Sequence, residues 1–565
     1  MKKIVFSLLG AALLFGACED RLDIQQKGVI SVDDFYHTDD DAQNALNNLY
    51  QCLALNVAGN EGIYVALPVL FNEPADDMLA AGSQYGDNDF GAQINEFRYD
   101  YDNEVIRNAY IGLYSTIYDS NTILEKVDDG SALKKRVRAE ARAIRAWAHL
   151  MLAIGWGNPI VVQEVLAPDA KPANDFPGGQ KGILEWVATE AEAAVADLDA
   201  RQGPKDDVGA SKATKGFALA IAGKAALFAG DNARAKSNLE QIINSNNYEL
   251  VSAERWPNLF HASGDLNEEK IFEINVLNNA AVGDWSGKIN RSSWMFIQFW
   301  NWRTDRMASR PAFIGADGWG GHAIRADFAQ EMLDWEGDSP RRKATFMTED
   351  EFFYTMKWNG TDGMTKAQLE TSPLIGLTDG VNGIYGVDKF FAHKFVAWPE
   401  DNEMGWYGFK NLCLFRYAEV LLMYAEACVG NDNGSGLKAL NDIQKRAGAP
   451  VTDLTLDNVK REKKHEMWLE MVRWPDMVRW GDTGGVVNNG KNIPITRDLY
   501  FVGRVADADG KVTTPGKSPI HKFDVEYTNP NLGKVGFVKG KHEYFAFPKN
   551  SVEINENLVQ NPSGL

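Results

Sequence analysis

The chain has little of what covalent chemistry on a protein usually needs. Cysteine occurs only four times in 565 residues, at Cys18, Cys52, Cys413 and Cys428, too few and too scattered for a disulfide framework. Histidine occurs eight times. No Cys-x-x-Cys, His-Glu-x-x-His, phosphate-cradling Gly-rich lysine loop or Gly-x-Ser-x-Gly is present. His465-Glu466 opens HEMWLE, which lacks the second histidine a zinc helix requires. Asn431 to Gly436 (NDNGSG) brushes a calcium-loop pattern without its closing glutamate and reads as a turn. Positive charge is also scarce: 58 Lys and Arg stand against 78 Asp and Glu, a net charge of −20. A surface of that sign repels phosphate backbones, so nucleic acid is not an expected partner. What is present is ordinary for a folded chain: 45% apolar, 24% charged and 11% aromatic residues. Disordered, collagen-like and coiled-coil architectures are thereby excluded.

Long apolar runs are missing everywhere except at the start. Lys2 and Lys3 precede an uncharged stretch, Ile4 to Ala17, of 14 residues, short of the roughly 20 that span a hydrocarbon core. It ends Phe15-Gly16-Ala17-Cys18, which resembles a bacterial lipobox, in which the cysteine is acylated and becomes the mature N-terminus. Each buried acyl CH₂ contributes about 0.8 kcal/mol to membrane attachment. Glu19, Asp20 and Asp23 follow, similar to the surface-export signal of Bacteroidetes lipoproteins. The expected division is a signal peptide over 1–17, a lipidated tether over 18–31 and an anchored body that does not span the membrane.

Helical periodicity dominates that body. Asp39 to Leu53 opens with acids suited to a helix N-terminus and carries Ala42, Ala45, Leu46, Leu49 and Leu53 on one face. The same spacing predicts helices over Arg107–Val127, Lys134–Ile154 and Leu184–Leu198, the second stopped by Gly155, Gly157 and Pro159. Lys212 to Asn246 reads as two helices around a Gly230-Asp231 turn, and Phe415–Val429 with Leu437–Ala447 repeats the arrangement. Small residues where the helices cross and a tight turn give each pair a tetratricopeptide-like texture. One such pair cannot bury its own apolar face, so several must stack. The expected fold is therefore mostly α, a tetratricopeptide-like superhelical scaffold with a loop-rich, irregular face. Residues 275–410, rich in Gly, Trp, Asn and Asp, are expected to form long loops with short helices and strands, and 484–545 similar loops in which Gly, Asn, Pro and Thr clusters separate short β-like runs such as DLYFVG. Compact chains rarely keep long loops without a function.

Several segments, in order, resemble the SusD/RagB family of outer-membrane lipoproteins. They are DFYHTDDDAQNALNNLY, AEARAIRAWAHLMLAIGWGNPIVV, KATKGFALAIAGKAALFAGD, FRYAEVLLMYAEA, KREKKHEMWLEMVRWPDMVRWG and the ending YFAFPKNSVEINENLVQNPSG. The resemblance implies an N-terminal helical region over 32–270 and a C-terminal region over 271–565, with the insert 275–410 and scaffold helices within 411–480. It implies a surface-exposed glycan- or oligosaccharide-binding protein and a TonB-dependent (SusC-like) outer-membrane transporter as partner, on which it sits as a hinged lid. The RagB branch handles peptides instead. Enzymatic activity and cofactors are not family properties, and neither a cofactor nor a metal is expected here. A secreted helical glycoside hydrolase is the competing class, since among 78 acids some pair will always match carboxylate spacing.

A sugar ring offers C–H groups on one face and hydroxyls at its rim, so aromatic platforms and planar polar groups are the expected partners. The stretch 285–319 holds five tryptophans in 35 residues, interleaved with Asn290, Arg291, Gln298, Asn301, Arg303 and Asp305. Trp285, Trp300, Trp302 and Trp319 are the expected platforms. The resemblance implies that the loop after the first scaffold helices, here FNEPADDMLAAGSQYGDNDF, also contributes to the ligand face, with Asp77 and Tyr85 as the expected contacts. Arg142, Arg145, Trp147, Arg416, Tyr417, Glu419, Glu426, Glu470, Arg473 and Trp474 are expected to pack and pair between helices.

Overall fold

The computed structural model describes residues 35–57, 66–80, 89–275, 301–302, 313–315, 318, 320–351, 384–387, 389–401, 410–431, 433–486, 495–502, 505–506, 512–513, 520–527 and 536–565. Cys18, Tyr85, Trp285, Trp300 and Trp319 lie outside them.

The helices that carry the fold are α1 (Asp39–Val57), α2 (Ala66–Asn72), α3 (Glu104–Lys126), α4 (Ala132–Trp156), α5 (Gly179–Ala194), α6 (Lys215–Phe228), α7 (Asn232–Asn244), α8 (Ala326–Glu336), α9 (Pro340–Thr345), α10 (Tyr417–Cys428), α11 (Ser435–Ala447), α12 (Leu456–Glu466) and α13 (Arg473–Trp480). Sequential neighbours pack in turn, α3 on α4, α4 on α5 and α6 on α7, and α7 then meets α10, which packs on α11 and α12. Two stretches of chain some 170 residues apart thus join one helical stack, as the paired tetratricopeptide texture requires.

Local signals set the ends. Asn103 caps α3 by accepting from the backbone N–H groups of Val105 and Ile106, and Ser131 caps α4 through Lys134. Gly157, at φ 73°, closes α4 with a positive φ that glycine adopts without penalty. Inside the α6–α7 pair a Cβ on Gly223 would stand 2.6 Å from the Leu239 side chain, so the helices approach as closely as they do only because that position is bare. One boundary departs from the periodicity. Phe415 and Arg416 belong to a strand, because they pair with Phe272 and Lys270, and the helix begins at Tyr417.

Eleven strands are described: β1 (Met78–Ala80), β2 (Lys270–Ile274), β3 (His322–Ile324), β4 (Phe346–Thr348), β5 (Ile384–Val387), β6 (Phe390–Ala392), β7 (Leu412–Arg416), β8 (Ile495–Val502), β9 (Val505–Ala506), β10 (Val512–Thr513) and β11 (Ile520–Tyr527). All pairings are antiparallel: β1 with β3, β2 with β7, β9 with β10, and a five-stranded sheet in the order β11-β8-β5-β6-β4.

A buried ion network ties the α12 segment to the rest. Arg416 donates to Glu269, Glu466 and Glu470, and Arg341 to Glu336, Glu462 and Glu466. His465 sits 2.8 Å from Glu336, so the HEMWLE histidine is a scaffold group. The other charged motif residues behave the same way: Arg145 pairs with Glu190, Glu419 with Lys224, Glu426 with Arg479 and Glu470 with Lys394.

Candidate functional site

The two segments expected to meet a ligand, 72–88 and 285–319, are tied to one short ladder. In β1–β3, Met78 faces Ile324 and Ala80 faces His322. Residue 81 and residue 321 therefore leave the same end of an antiparallel pair, and each continues directly into an expected ligand segment.

A second set of backbone bonds closes the tryptophan-rich stretch on itself. The Gly318 N–H donates to the Trp302 carbonyl at 2.9 Å, and the Gly320 N–H to the Asn301 carbonyl at 3.0 Å. Trp300 and Trp319 are thus each one residue away from positions hydrogen-bonded to one another. Only glycine permits this approach: a Cβ on Gly318 would lie 2.3 Å from both the Cβ and the carbonyl oxygen of Asn301. The loop is also fastened behind. The Asn301 side-chain oxygen accepts from the Ala397 N–H at 2.7 Å, and the Gly315 N–H donates to the Ala397 carbonyl at 2.7 Å.

Two of the expected ligand residues are interior. Trp302 is 3% exposed. Its indole N–H donates to the Ala392 carbonyl at 2.9 Å, and its ring meets Phe313 and Phe391 edge-on. Trp302 is thus a packed interior side chain, contrary to the platform expectation. Asp77 is 1% exposed, and its backbone carbonyl receives the Trp468 indole N–H and the Arg325 amide. Burial raises the Asp77 carboxyl to about 7, helped by the negative charge of Asp76 beside it. Asp76 differs because Arg473 reaches it with two hydrogen bonds, at 2.7 and 2.8 Å. Burial works against its ionisation, yet Arg473 and Lys464 hold it well below the usual carboxylate range.

The same loop shapes the turn after α12. Leu469 and Met471 adopt φ of 63° and 61°, a region costly for side chains of that size. Asn72 fixes both ends of the turn, donating to the Leu469 carbonyl and accepting from the Met471 N–H. Glu73 contacts His322 of β3, and both side chains are fully buried. Asn72, Glu73 and Asp76 are therefore tied into the scaffold, to the 469–471 turn, to β3 and to Arg473.

One aromatic near this edge was not anticipated. Trp398 is half-buried and stacks on His261 with ring centroids 3.7 Å apart and planes within 7°. His261 is fixed in turn by Asp401 at 2.6 Å. A Cβ on Gly315 would come within 2.0 Å of the Trp398 carbonyl, which puts Trp398 beside the fastened loop. The only sequence cue was a tryptophan before proline in a loop-like stretch, too common to single out.

Residues 269–563 match the SusD family, and residues 31–192 match a family described as starch-binding and associating with the outer membrane. A SusD-like protein of Bacteroides ovatus is 24% identical over 496 residues, covering 83% of this chain and 81% of its own. Among solved structures, surface glycan-binding protein A from Bacteroides thetaiotaomicron, in complex with laminarihexaose, superposes with a TM-score of 0.65 at 22% identity. It covers 93% of this chain and 99% of that one. A laminarin-binding SusD-like protein gives a TM-score of 0.68 at 19% identity, over 93% and 99% of the two chains.

Proposed function

The chain belongs to the SusD family, and from that premise we propose that it is a lipid-anchored, surface-exposed protein that captures glycans and hands them to a TonB-dependent outer-membrane transporter. The observation that carries the reading is the convergence at β1–β3. Ala80, five residues before Tyr85, and His322, three residues after Trp319, pair at one end of one ladder, and Asn301 and Trp302, which follow Trp300, are hydrogen-bonded to Gly320 and Gly318, which flank Trp319. Such an edge can set rings and planar polar groups around a single oligosaccharide. Solved relatives of the same fold carry glycan-binding names, one with laminarihexaose bound, which makes laminarin the first ligand to try.

Trp300 and Trp319 are the proposed platforms, with Trp285, Tyr85 and Trp398 as neighbours able to extend the surface. Capture is non-covalent in this reading. Work on the ligand is conformational: cargo contacting both lid and barrel favours the closed state by its differential affinity for that state. Cys18 is the proposed acylation site, with acidic residues behind it as the export signal.

Titration of the purified, unlipidated chain with laminarin, other polysaccharides and a peptide mixture tests the ligand class. Saturable glycan binding, weakened in Trp300→Ala or Trp319→Ala, supports the reading. Binding confined to peptides moves the protein to the peptide-handling branch. New reducing ends, abolished by one Asp or Glu substitution, would make it an enzyme. Co-purification with a β-barrel transporter tests the partner.

A further inference from the structure

Exposed apolar side chains are not scattered evenly over this protein. Ten large ones are exposed among the described residues. Four of them, Ile111, Tyr118, Leu166 and Ile554, at 49%, 56%, 36% and 72% exposure, line a single groove of about 740 Å³. Such clustering marks an interaction surface more often than single exposed residues do. One wall is the face of α3 that carries Tyr110, Tyr114 and Tyr118 at a spacing of four residues. The Tyr114 hydroxyl already donates to the Ile160 carbonyl at 2.7 Å, so its polar group is satisfied within the protein.

The occupant is suggested by where the described chain begins. Phe35 and Tyr36 pack against the core as an edge-to-face pair, centroids 4.6 Å apart. Tyr36 takes a φ of 80°, a sharp redirection just before α1. Burial raises the Tyr36 hydroxyl pKa, and the next influences are Asp119 and Tyr118, which are groove residues. Upstream stand Leu22, Ile24, Val29, Ile30 and Val32. From Tyr110 to Asp119 the helix rises about 14 Å, the reach of about four extended residues. Val29-Ile30-Ser31-Val32 is such a stretch, ending three residues before Phe35.

We propose that this chain's own segment Val29–Val32 beds into the groove formed by α3, Leu166 and Ile554. The tether would then leave the body at one fixed place, and a lid attached through it would pivot from there.

The test uses the full mature chain with Cys18→Ser, so that neither lipid nor glycan enters. Hydrogen exchange is followed over 22–34, together with tryptic cleavage after Lys27. Wild-type amides of 29–32 should exchange at least tenfold more slowly than an unstructured peptide. Ile111→Asp and Tyr118→Asp should abolish that protection and speed cleavage while exchange elsewhere is unchanged. Ile30→Asp, which alters only the tether, should do the same and keeps the test open should a groove variant misfold. Absence of protection in the wild type, or protection that survives all three variants, would overturn the proposal. Protection that rises with protein concentration alongside dimer in sedimentation would also overturn it, because the groove would then receive a second copy.

Discussion

Arg416 and Glu466 lie 2.6 Å apart, nitrogen to oxygen, at a point where one carboxylate takes three guanidinium groups. Arg446 reaches the same oxygen at 2.5 Å, Arg341 the other at 2.8 Å, and the Trp256 indole N–H donates at 3.0 Å. Burial disfavours the charge, yet Arg446, Arg416 and Arg341 hold Glu466 well below the usual carboxylate range. Removing it takes away the carboxylate shared by Arg416 of β7, Arg341 of α9 and Arg446 of α11 and leaves these buried cations with only their other acids, Glu269, Glu470, Glu336 and Glu462. Glu466→Ala should therefore destabilise by about 3–5 kcal/mol. Arg446→Ala combined with it should cost less than the sum of the two single changes. Urea denaturation measures both, and a loss below about 1 kcal/mol, within the range of exposed pairs, would mean that the network does not hold the scaffold.

Asp77 gives a pH dependence of opposite sign to that of a salt-bridged acid. Its folded pKa, about 7, lies above the ordinary 3.8 because the site is buried and faces Asp76. The folded state thus keeps the proton over a range where the unfolded chain has lost it. Stability from this group is fully present below about pH 4 and declines as pH rises toward 7. Asp77→Asn should leave the melting temperature unchanged at pH 4 and raise it at pH 8, by up to a few kcal/mol of stability. A melting series across that range in which the two proteins run parallel would rule the assignment out.

What was readable in the sequence followed distance along the chain. The helices over 107–127 and 134–154 were legible because their apolar spacing is local, and Gly157 marks a stop through its own backbone. The scaffold role of Arg145 was legible from alternating charge in a helical segment; Arg416 and Glu470 pair inside as well, although they stand at a strand end and in a turn. The start of α10 was not, because Phe415 and Arg416 take strand geometry from β2, more than 140 residues earlier. The consecutive Asp76 and Asp77 look alike in sequence. They differ because Arg473, 397 residues away, reaches only the first. Trp302 and Trp398 show the same limit, since no periodicity in a loop reports which indole is sealed and which is half open.

Gly318 makes one of the close approaches of the fastened loop. A methyl group there meets the Asn301 backbone and Cβ at 2.3 Å, and the loop must move to admit it. Strain of about 1–3 kcal/mol is more easily relieved by the loop than by the packed scaffold. Gly318→Ala should consequently weaken glycan binding by about tenfold, equivalent to about 1.4 kcal/mol, with little change in melting temperature. Gly484→Ala is the control, because nothing lies within 4 Å of its added Cβ. Equal affinity in both variants would show that the 301–318 clamp does not shape the site.

Trp300, Trp302 and Trp319, which in sequence adjoin or form part of that clamp, should divide by what each loses. Trp302 is 3% exposed and hydrogen-bonded inside, so Trp302→Ala removes core volume and should cost about 3–5 kcal/mol of stability. As proposed platforms, Trp300 and Trp319 should lose binding instead. Each alanine substitution there should reduce glycan affinity by about 1–3 kcal/mol, the range of aromatic stacking, and leave the melting temperature near wild type. Calorimetric titration and thermal melts on the same samples separate the outcomes. If Trp302→Ala alone loses affinity while folded, and the other two keep theirs, the ligand does not use this edge and the search moves to Trp398, whose stacked ring lies beside it.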